Sequence, residues 1–443
     1  MVLQGITEDT HIDWTRFDYY AQHVRKFTWN ECNDVAKTTL SDLPRRRDPG
    51  SHSLLPNLTC LRIRESREEH ISKLSFLFAP SVTTFELFAL GDCNPDHALR
   101  AAQKTCNRLD TLLVKSQRYG AFSGTAGDAL AQCVQGNPNL RRCSFSVSLT
   151  SADTVRALAQ LPHLTNVSDF ALTRDDTDSL AYTLKHTAPA TWFPALQRLT
   201  LTVEELNNDT AAILKSIQST ELTDLQLISR QHPDTSELKR TMEALAGAPY
   251  ARTLTSLTIE LALQTSPPEC PAIDLALALR PLYPLRQLCH LVIEGRRIQT
   301  TEATLDAAAN AFPHLQLLHL LSKDDPHPLG QCPCPSLRTL LTLAEKCPRL
   351  LSICIHFDVH SVADIPTDAE VERVLALLGG KHGLEQLRMY GGTLSLANWD
   401  EEDVLADFLM SLFQSVQPDY VRRTLGQTAS QSWYNITNKV ILG

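Results

Sequence analysis

Several features that would narrow the function are missing from this sequence of 443 residues. It has no run of 18 apolar residues, so no membrane-spanning helix is predicted. It has no basic block, and its 50 acidic residues outnumber its 41 basic ones to give a net charge of -9. Neither nucleic acid nor a membrane is therefore expected as a partner. The start, MVLQGITEDTHIDW, lacks the basic and apolar stretches of a secretory signal. The 12 cysteines form no C-x-x-C pair, so we expect buried, reduced thiols and a cytoplasmic and/or nuclear location.

Motifs that indicate catalysis are also absent. The sequence has no G-x-S-x-G elbow and no H-E-x-x-H pair. The segment GGKHG (379–383) fails as a phosphate loop, because Leu375 replaces the earlier glycine and His382 replaces the Ser or Thr. It is interpreted as a helix end. Cys332 and Cys334 are two residues apart, but a metal site would need further ligands at regular spacing. We predict no catalytic residue, no cofactor and no metal site.

What the sequence contains is a phrase of the form L-x-x-L-x-L, which recurs about twelve times with apolar substitutes. Clear copies are PNLTCLRI (56–63), PSVTTFEL (80–87), PHLQLLHL (313–320) and PRLLSICI (348–355), and a looser copy is PHLTNVSDFAL (162–172). The copies start 24 to 35 residues apart, which is the long end of the leucine-rich-repeat range. Two apolar positions two residues apart indicate a strand, and the remaining length holds one helix.

The repeats predict an α/β fold, a right-handed leucine-rich-repeat solenoid with parallel strands on the concave face, helices on the convex face and helical caps. Loop insertions are expected near 173–193 and 321–335. The predicted division is an N-terminal helical linker or cap (1–50), a solenoid (51–397), and a C-terminal capping helix and tail (398–443). The clearest helical segments are 96–106, 151–161, 207–217, 300–312 and 366–378.

Both ends of the solenoid carry an apolar stripe that predicts a cap. The first is a helix in DWTRFDYYAQHVRKF, with Phe27 and Trp29 extending its stripe towards the strand near Leu61. The second is a helix over 398–413. The apolar stripe of the first is Trp14, Phe17, Ala21 and Val24, and its linker or cap residues are Trp14, Phe17, Tyr20 and Val24. The predicted buried face of the second is Val404, Leu405, Phe408, Leu409, Leu412 and Phe413.

Strand alternation predicts which side chains point away from the core and towards the concave face. These side chains are candidates for binding a protein target, although solvated strand faces would show the same pattern. The first half is mainly basic, and acids and histidines follow. The candidates are Arg62, Arg64, Glu86, Phe88, Lys115, Arg142, Arg198, Asp224, Glu260, His290, Glu294, His319, His356, Arg388 and Tyr390.

The order of these segments resembles the fungal F-box/leucine-rich-repeat proteins. In that family a W-x-x-F-x-x-Y-A-x-x-V-R segment, present here within DWTRFDYYAQHVRKF, joins the F-box to the repeats. The resemblance implies a substrate-recognition subunit of an SCF E3 ubiquitin ligase, whose repeats hold the target and whose F-box binds a Skp adaptor. It continues through SLLPNLTCLRI, LFAPSVTTFEL, FPALQRLTL, FPHLQLLHL, CPRLLSICI and VLADFLMSLF.

One departure from the family lies before Trp14, where no residue reads as the L-P-x-E-I-type opening of an F-box. We therefore expect a protein target on the concave face, and a Skp adaptor and cullin only if an F-box is supplied upstream. The alternative is a stand-alone leucine-rich-repeat regulatory protein with no role in ubiquitination. An enzyme has only the failed motifs to support it.

Overall fold

The computed structural model describes most of the chain, in two compact units. The first unit is residues 1–202 with 217–219, and the second is 203–216 with 220–443. The described ranges are 14–30, 53–90, 93–116, 124–145, 151–186, 192–261, 271–322, 334–357, 362–380, 382–389 and 399–413.

The first unit is built on parallel strands, each hydrogen-bonded to the next in chain order. They are β1 (Lys26–Trp29), β2 (Cys60–Glu65), β3 (Thr84–Ala89), β4 (Thr111–Ser116), β5 (Arg142–Phe145), β6 (Asn166–Ala171) and β7 (Arg198–Val203). Its helices are Trp14–Ala21, Glu68–Lys73, Asp96–Thr105, Gly124–Gln135, Ala152–Ala159 and Arg174–His186, with a 3-10 turn at Leu74–Leu77.

The second unit repeats this plan with parallel strands in the order β8-β9-β11-β13-β14-β15 and a separate two-residue pair, β10 with β12. The strands are β8 (Asp224–Ser229), β9 (Ser256–Leu261), β10 (Ile273–Asp274), β11 (His290–Gly295), β12 (Ile298–Gln299), β13 (Leu317–Ser322), β14 (Ser352–Ile355) and β15 (Gln386–Met389). The helices are Asn208–Ser216, Thr235–Ala246, Leu275–Leu279, Glu302–Ala311, Arg338–Lys346, Asp368–Leu377 and Trp399–Leu412, with 3-10 turns at Pro249–Arg252, Arg280–Leu282 and Val362–Asp364. No helix in the described ranges has the length and apolar composition needed to cross a bilayer.

The repeated phrase produces this architecture because the apolar positions of its regular copies enter the core wherever the structure describes their side chains. In the first phrase Leu58, Leu61 and Ile63 are fully buried, whereas Arg62 and Arg64 between and after them are exposed. Burial of each such side chain contributes about 1.5–3 kcal/mol to the stability of the fold. A single strand cannot provide the surface that covers these side chains. Neighbouring repeats supply it, so the predicted α/β leucine-rich-repeat solenoid is confirmed.

The helices begin where local capping chemistry allows. Asp234 and Thr301 each form a capping box at the start of a helix. All five helical segments predicted above are confirmed. The predicted loop insertion at 173–193 is wrong over Arg174–His186, which is a helix. Thr173 and Asp176 bond reciprocally at its start, with Thr173 Oγ1 donating to Asp176 Oδ2 at 2.6 Å, so a polar segment is held helical. The second predicted insertion falls mostly outside the described residues.

Polar side chains also tie consecutive repeats together, three residues before the first apolar position of a phrase. Ser219 Oγ donates to the Leu196 carbonyl at 2.6 Å, and the buried Asn137 Oδ1 accepts from the Leu109 N–H at 3.0 Å. Cys106 and Cys347 lie at the same offset, and their thiols donate to carbonyls of the preceding repeat. Burial raises the pKa of Cys106 and Cys347 to about 12, so both stay protonated and able to donate.

The N-terminal prediction needs a correction. The helix ends at Ala21, so Phe27 and Trp29 do not extend a helical stripe; they lie on β1, with Phe27 in register with Leu61. Trp29 is buried, and its indole Nε1–H is satisfied by donating to Glu65 Oε2 at 3.0 Å. The backbone pairing of β1 with β2 and the Trp29–Glu65 hydrogen bond thus cover the first repeat. The aromatic and β-branched residues of β1 favour a strand over a helix.

The C-terminal helix is confirmed as Trp399–Leu412, and its predicted buried face is confirmed except at Val404, which is 43% exposed. A helical turn is 3.6 residues, so Val404 falls outside the stripe formed by Leu405, Phe408, Leu409 and Leu412. The domain division stays a prediction.

Candidate protein-binding face

The outward side chains of β1 to β7 form the candidate site of the first unit, here called the basic strand face. Alternation on β2 places Cys60, Arg62 and Arg64 outward, and each following strand adds two or three more side chains. Register aligns them into rows that cross the strands, spaced about 4.8 Å from strand to strand.

Arg62 and Glu86 lie opposite each other on β2 and β3 and form an ion pair, Nε to Oε2, of 2.5 Å. The Glu86 side chain is only 11% exposed and that of Arg62 is 47% exposed. The hydrogen bond to Glu86 raises the pKa of the Arg62 guanidinium. Glu86, which was predicted as a contact residue, is therefore mostly covered, and its negative charge is paired with Arg62.

The next row joins Arg64, Phe88 and Lys115 on β2, β3 and β4. The Arg64 guanidinium lies over the Phe88 ring, 5.7 Å from its centroid, in a cation–π contact. This contact fixes the position of Arg64 without neutralising its charge.

The looser repeat forms a bulge that brings an acid onto this face. The register of β6 against β7 shifts between Val167 and Phe170, and Asp169 has a left-handed φ of 54°. Its Oδ2 lies 2.9 Å from Lys115 Nζ and accepts from Ser144 Oγ at 2.8 Å. Burial pushes the pKa of Asp169 up, but the hydrogen bonds from Lys115 and Ser144 outweigh it and leave the pKa lowered. Sequence reasoning missed Asp169, although the irregular phrase was a signal.

Arg142, Asn166 and Arg198 form a third row on β5, β6 and β7. Arg142 and Arg198 are exposed and Asn166 is half-buried. Within the described part of the chain, none of these three side chains has a hydrogen-bond or ion-pair partner. The row therefore offers two guanidinium groups and one amide to a ligand.

The second unit places the later candidates on its own outward strand face. Asp224, His290 and Glu260 are half-buried, and Glu260 Oε1 accepts from Gln226 Nε2 at 2.6 Å. Glu294 stands opposite Glu260 on the neighbouring strand. This face is acidic where that of the first unit is basic.

His319 belongs to a hydrogen-bonded chain across three strands. Ser352 Oγ donates to Gln386 Oε1 at 3.3 Å and lies 2.9 Å from His319 Nε2. Ser352 is 5% exposed, so this chain of contacts is largely covered. His356 Nε2 contacts the Ser322 carbonyl at 3.0 Å, so both histidines link strands.

Two candidates cannot be placed as contacts. Arg388 lies on β15, opposite Cys354, and its side chain is outside the described part, as is the whole of Tyr390. No group of three His, Cys, Asp or Glu side chains suited to a metal ion occurs among the described residues.

Comparisons with known proteins add little to this description. No known protein family matches the sequence, and no curated protein matches it. Among solved structures, a similar chain is found in the crystal structure of a TLR13–ssRNA13 complex, with 15% identity and a TM-score of 0.38. The match covers 80% of this chain and 42% of that chain, so this chain spans less than half the length of its neighbour. The fold assignment rests on the parallel strands and the repeat spacing.

Proposed function

We propose that this chain is a non-enzymatic protein-binding scaffold that serves as the substrate-recognition part of an SCF E3 ubiquitin ligase. The observation that carries the binding role is the basic strand face, where Arg64, Arg142 and Arg198 stand on hydrogen-bonded strands. Residues on strands already have a fixed backbone, so they lose little conformational freedom on binding, which favours recognition of a partner.

The link to the ligase rests on the resemblance of the repeat series and on the aromatic N-terminal helix. Tyr19 and Tyr20 are 64% and 52% exposed and pack edge-to-face, with ring centroids 5.3 Å apart. Exposed aromatic pairs of this kind are common in protein contacts. In the proposed assembly they meet F-box helices supplied upstream.

The binding role is tested by capture from cell extract with three forms of the chain: the natural sequence, Arg142→Glu, and Lys104→Glu. Arg142 is on the basic strand face, whereas Lys104 is an exposed residue in the last turn of the helix Asp96–Thr105. Both variants change the charge equally. Proteins retained by the natural chain and Lys104→Glu but lost from Arg142→Glu are bound through the strand face. Identical capture by all three forms contradicts the proposal.

The ligase role is tested by expressing the transcript product, with any upstream coding sequence, together with a Skp adaptor and a cullin. A stable complex that ubiquitinates a captured protein is expected. Capture of the same proteins without adaptor binding would instead favour the stand-alone regulatory protein.

A further inference from the structure

We propose that the basic strand face recognises an acidic segment of polypeptide bound in an extended conformation. This rests on the scaffold function and names the chemistry of its partner. The starting observation is an imbalance of charge in a chain whose net charge is -9.

The outward side chains on the described strands of the first unit include six cations and only two carboxylates, a local excess of four positive charges. Both carboxylates are matched, Glu86 by Arg62 and Asp169 by Lys115. The remaining cations are Lys26, Arg64, Arg142 and Arg198, and none of them has an acidic partner among the described residues.

The row Arg142–Asn166–Arg198 suits a carboxylate. Asn166 lies in register between the two arginines, so each is about 4.8 Å from it along the sheet. A carboxylate above Asn166 lies within reach of both guanidinium groups, which bind carboxylates in a bidentate manner, and of the amide NH2.

The distance between cations sets the length of the ligand. Arg64 is on β2 and Arg198 on β7, five strand spacings or about 24 Å apart across the sheet. The Arg142 row passes through Cys60 on β2, so Arg64 also lies four residues, about 13 Å, further along the strand direction, and the diagonal is about 27 Å. An extended chain advances roughly 3.3–3.6 Å per residue, so about eight residues cross this span diagonally. Such a segment contacts Arg64 near one end and the Arg142–Asn166–Arg198 row near the other.

Single-stranded nucleic acid is also a polyanion, but the face lacks the means to bind its bases. Binding without sequence preference uses several aromatic side chains as stacking platforms. On the described strands of the first unit, Phe88 is the one outward aromatic side chain, and its ring is already in contact with Arg64. The geometry therefore favours carboxylates on a peptide.

The test measures binding to the full chain by fluorescence anisotropy, using a labelled peptide of about nine residues in which Thr and Glu alternate. The comparison peptide has Gln in place of each Glu. Arg142→Glu and Arg142→Gln are the test variants and Lys104→Glu is the matched control. Because both positions are exposed, all forms are expected to fold, and circular dichroism verifies this.

The acidic peptide is expected to bind at least about tenfold more tightly than the Gln peptide, since several ion pairs are lost together. Arg142→Glu should weaken its binding about tenfold and Arg142→Gln less, while Lys104→Glu changes it less than about twofold. Equal binding of the two peptides, or no effect of Arg142→Glu, overturns the inference. So does an RNA of about nine nucleotides that binds more tightly than the peptide and depends on Arg142.

The outcomes separate the two proposals. If extract proteins are captured through Arg142 but the acidic peptide does not bind, the scaffold function stands and the acidic-ligand inference is wrong. If no extract protein depends on Arg142 and the acidic peptide does not bind, both fail.

Discussion

Glu65 is expected to hold the N-terminal strand to the rest of the first unit. Its carboxylate is fully buried at the end of β2. Oε2 accepts from Trp29 Nε1 at 3.0 Å, and Oε1 accepts from the Ser66 and Arg67 N–H groups at 3.0 and 3.3 Å. His70 Nδ1 lies 3.4 Å from the same oxygen. This cluster joins β1 to the repeat that follows it.

We predict that Glu65→Gln selectively loosens β1. The amide keeps one acceptor oxygen but presents an NH2 group to the other set of donors, so at least one charge-assisted bond, worth about 1.5–3 kcal/mol, is lost. Removing a buried charge offsets part of that loss. A net destabilisation of about 2 kcal/mol remains, equivalent to a roughly 30-fold larger population of the open state and correspondingly faster exchange, because 1.4 kcal/mol is a factor of ten.

The assay is hydrogen exchange of the amides at 26–29, followed by mass spectrometry, which reports local opening of β1. Glu69→Gln is the matched control, because the Glu69 side chain is 69% exposed and the same substitution there should change little. Exchange over 26–29 that is equal in the natural chain and Glu65→Gln would refute the reasoning.

The same cluster predicts a dependence on pH. Burial raises the pKa of Glu65, but the hydrogen bonds from Trp29, Ser66 and Arg67, together with the nearby His70, outweigh it, so the folded-state pKa is lowered. A lowered carboxylate pKa stabilises the fold fully above the unfolded value of about 4.3, and the contribution is lost as pH falls through the folded value. The contribution of Glu65 to the protection of β1 should therefore be complete above about pH 5 and fall below about pH 4. Glu65→Gln should lack this step.

Two further substitutions test the packing of the repeats. Asn137→Ala should lower stability by about 1–3 kcal/mol, because the buried Leu109 N–H loses its acceptor; thermal unfolding is the measurement, and the exposed Asn139→Ala should leave the midpoint unchanged. Gly295→Ala should cost about 1–3 kcal/mol, because its new Cβ would lie 2.8 Å from Leu261 Cβ. Urea unfolding checks it, and Gly383→Ala, which meets no atom within 4 Å, is the control; equal midpoints for the two alanine variants would contradict the packing.

The repeat strands were predictable from the sequence because the signal is redundant. The apolar triplet represented by Leu58, Leu61 and Ile63 recurs about twelve times along the sequence. Each copy forms one strand of the solenoid. β1 was not predicted, because its segment around Phe27 and Trp29 lacks the leading leucine of the phrase. It is a strand because the exposed edge of β2 pairs with it and Glu65 accepts its indole N–H, which are tertiary contacts that a local pattern does not contain.

The sequence predicts which way the candidate side chains point, but not how they pair with one another. Alternation correctly places Arg62 and Glu86 outward on adjacent strands, yet it does not reveal that they face each other and match charges. That requires the register between strands, and the bulge that brings Asp169 to Lys115 requires a left-handed residue within a strand.

Pairing within the face therefore decides what the face can bind. The acids predicted or found on the first unit are matched by Arg62 and Lys115, so an incoming partner meets only the cations that remain. Those cations keep their hydration until a ligand displaces it, and exposed ion pairs are individually weak. Affinity must then come from several carboxylates held at once along one extended segment, which is why Arg142→Glu should affect an acidic peptide more than its Gln counterpart.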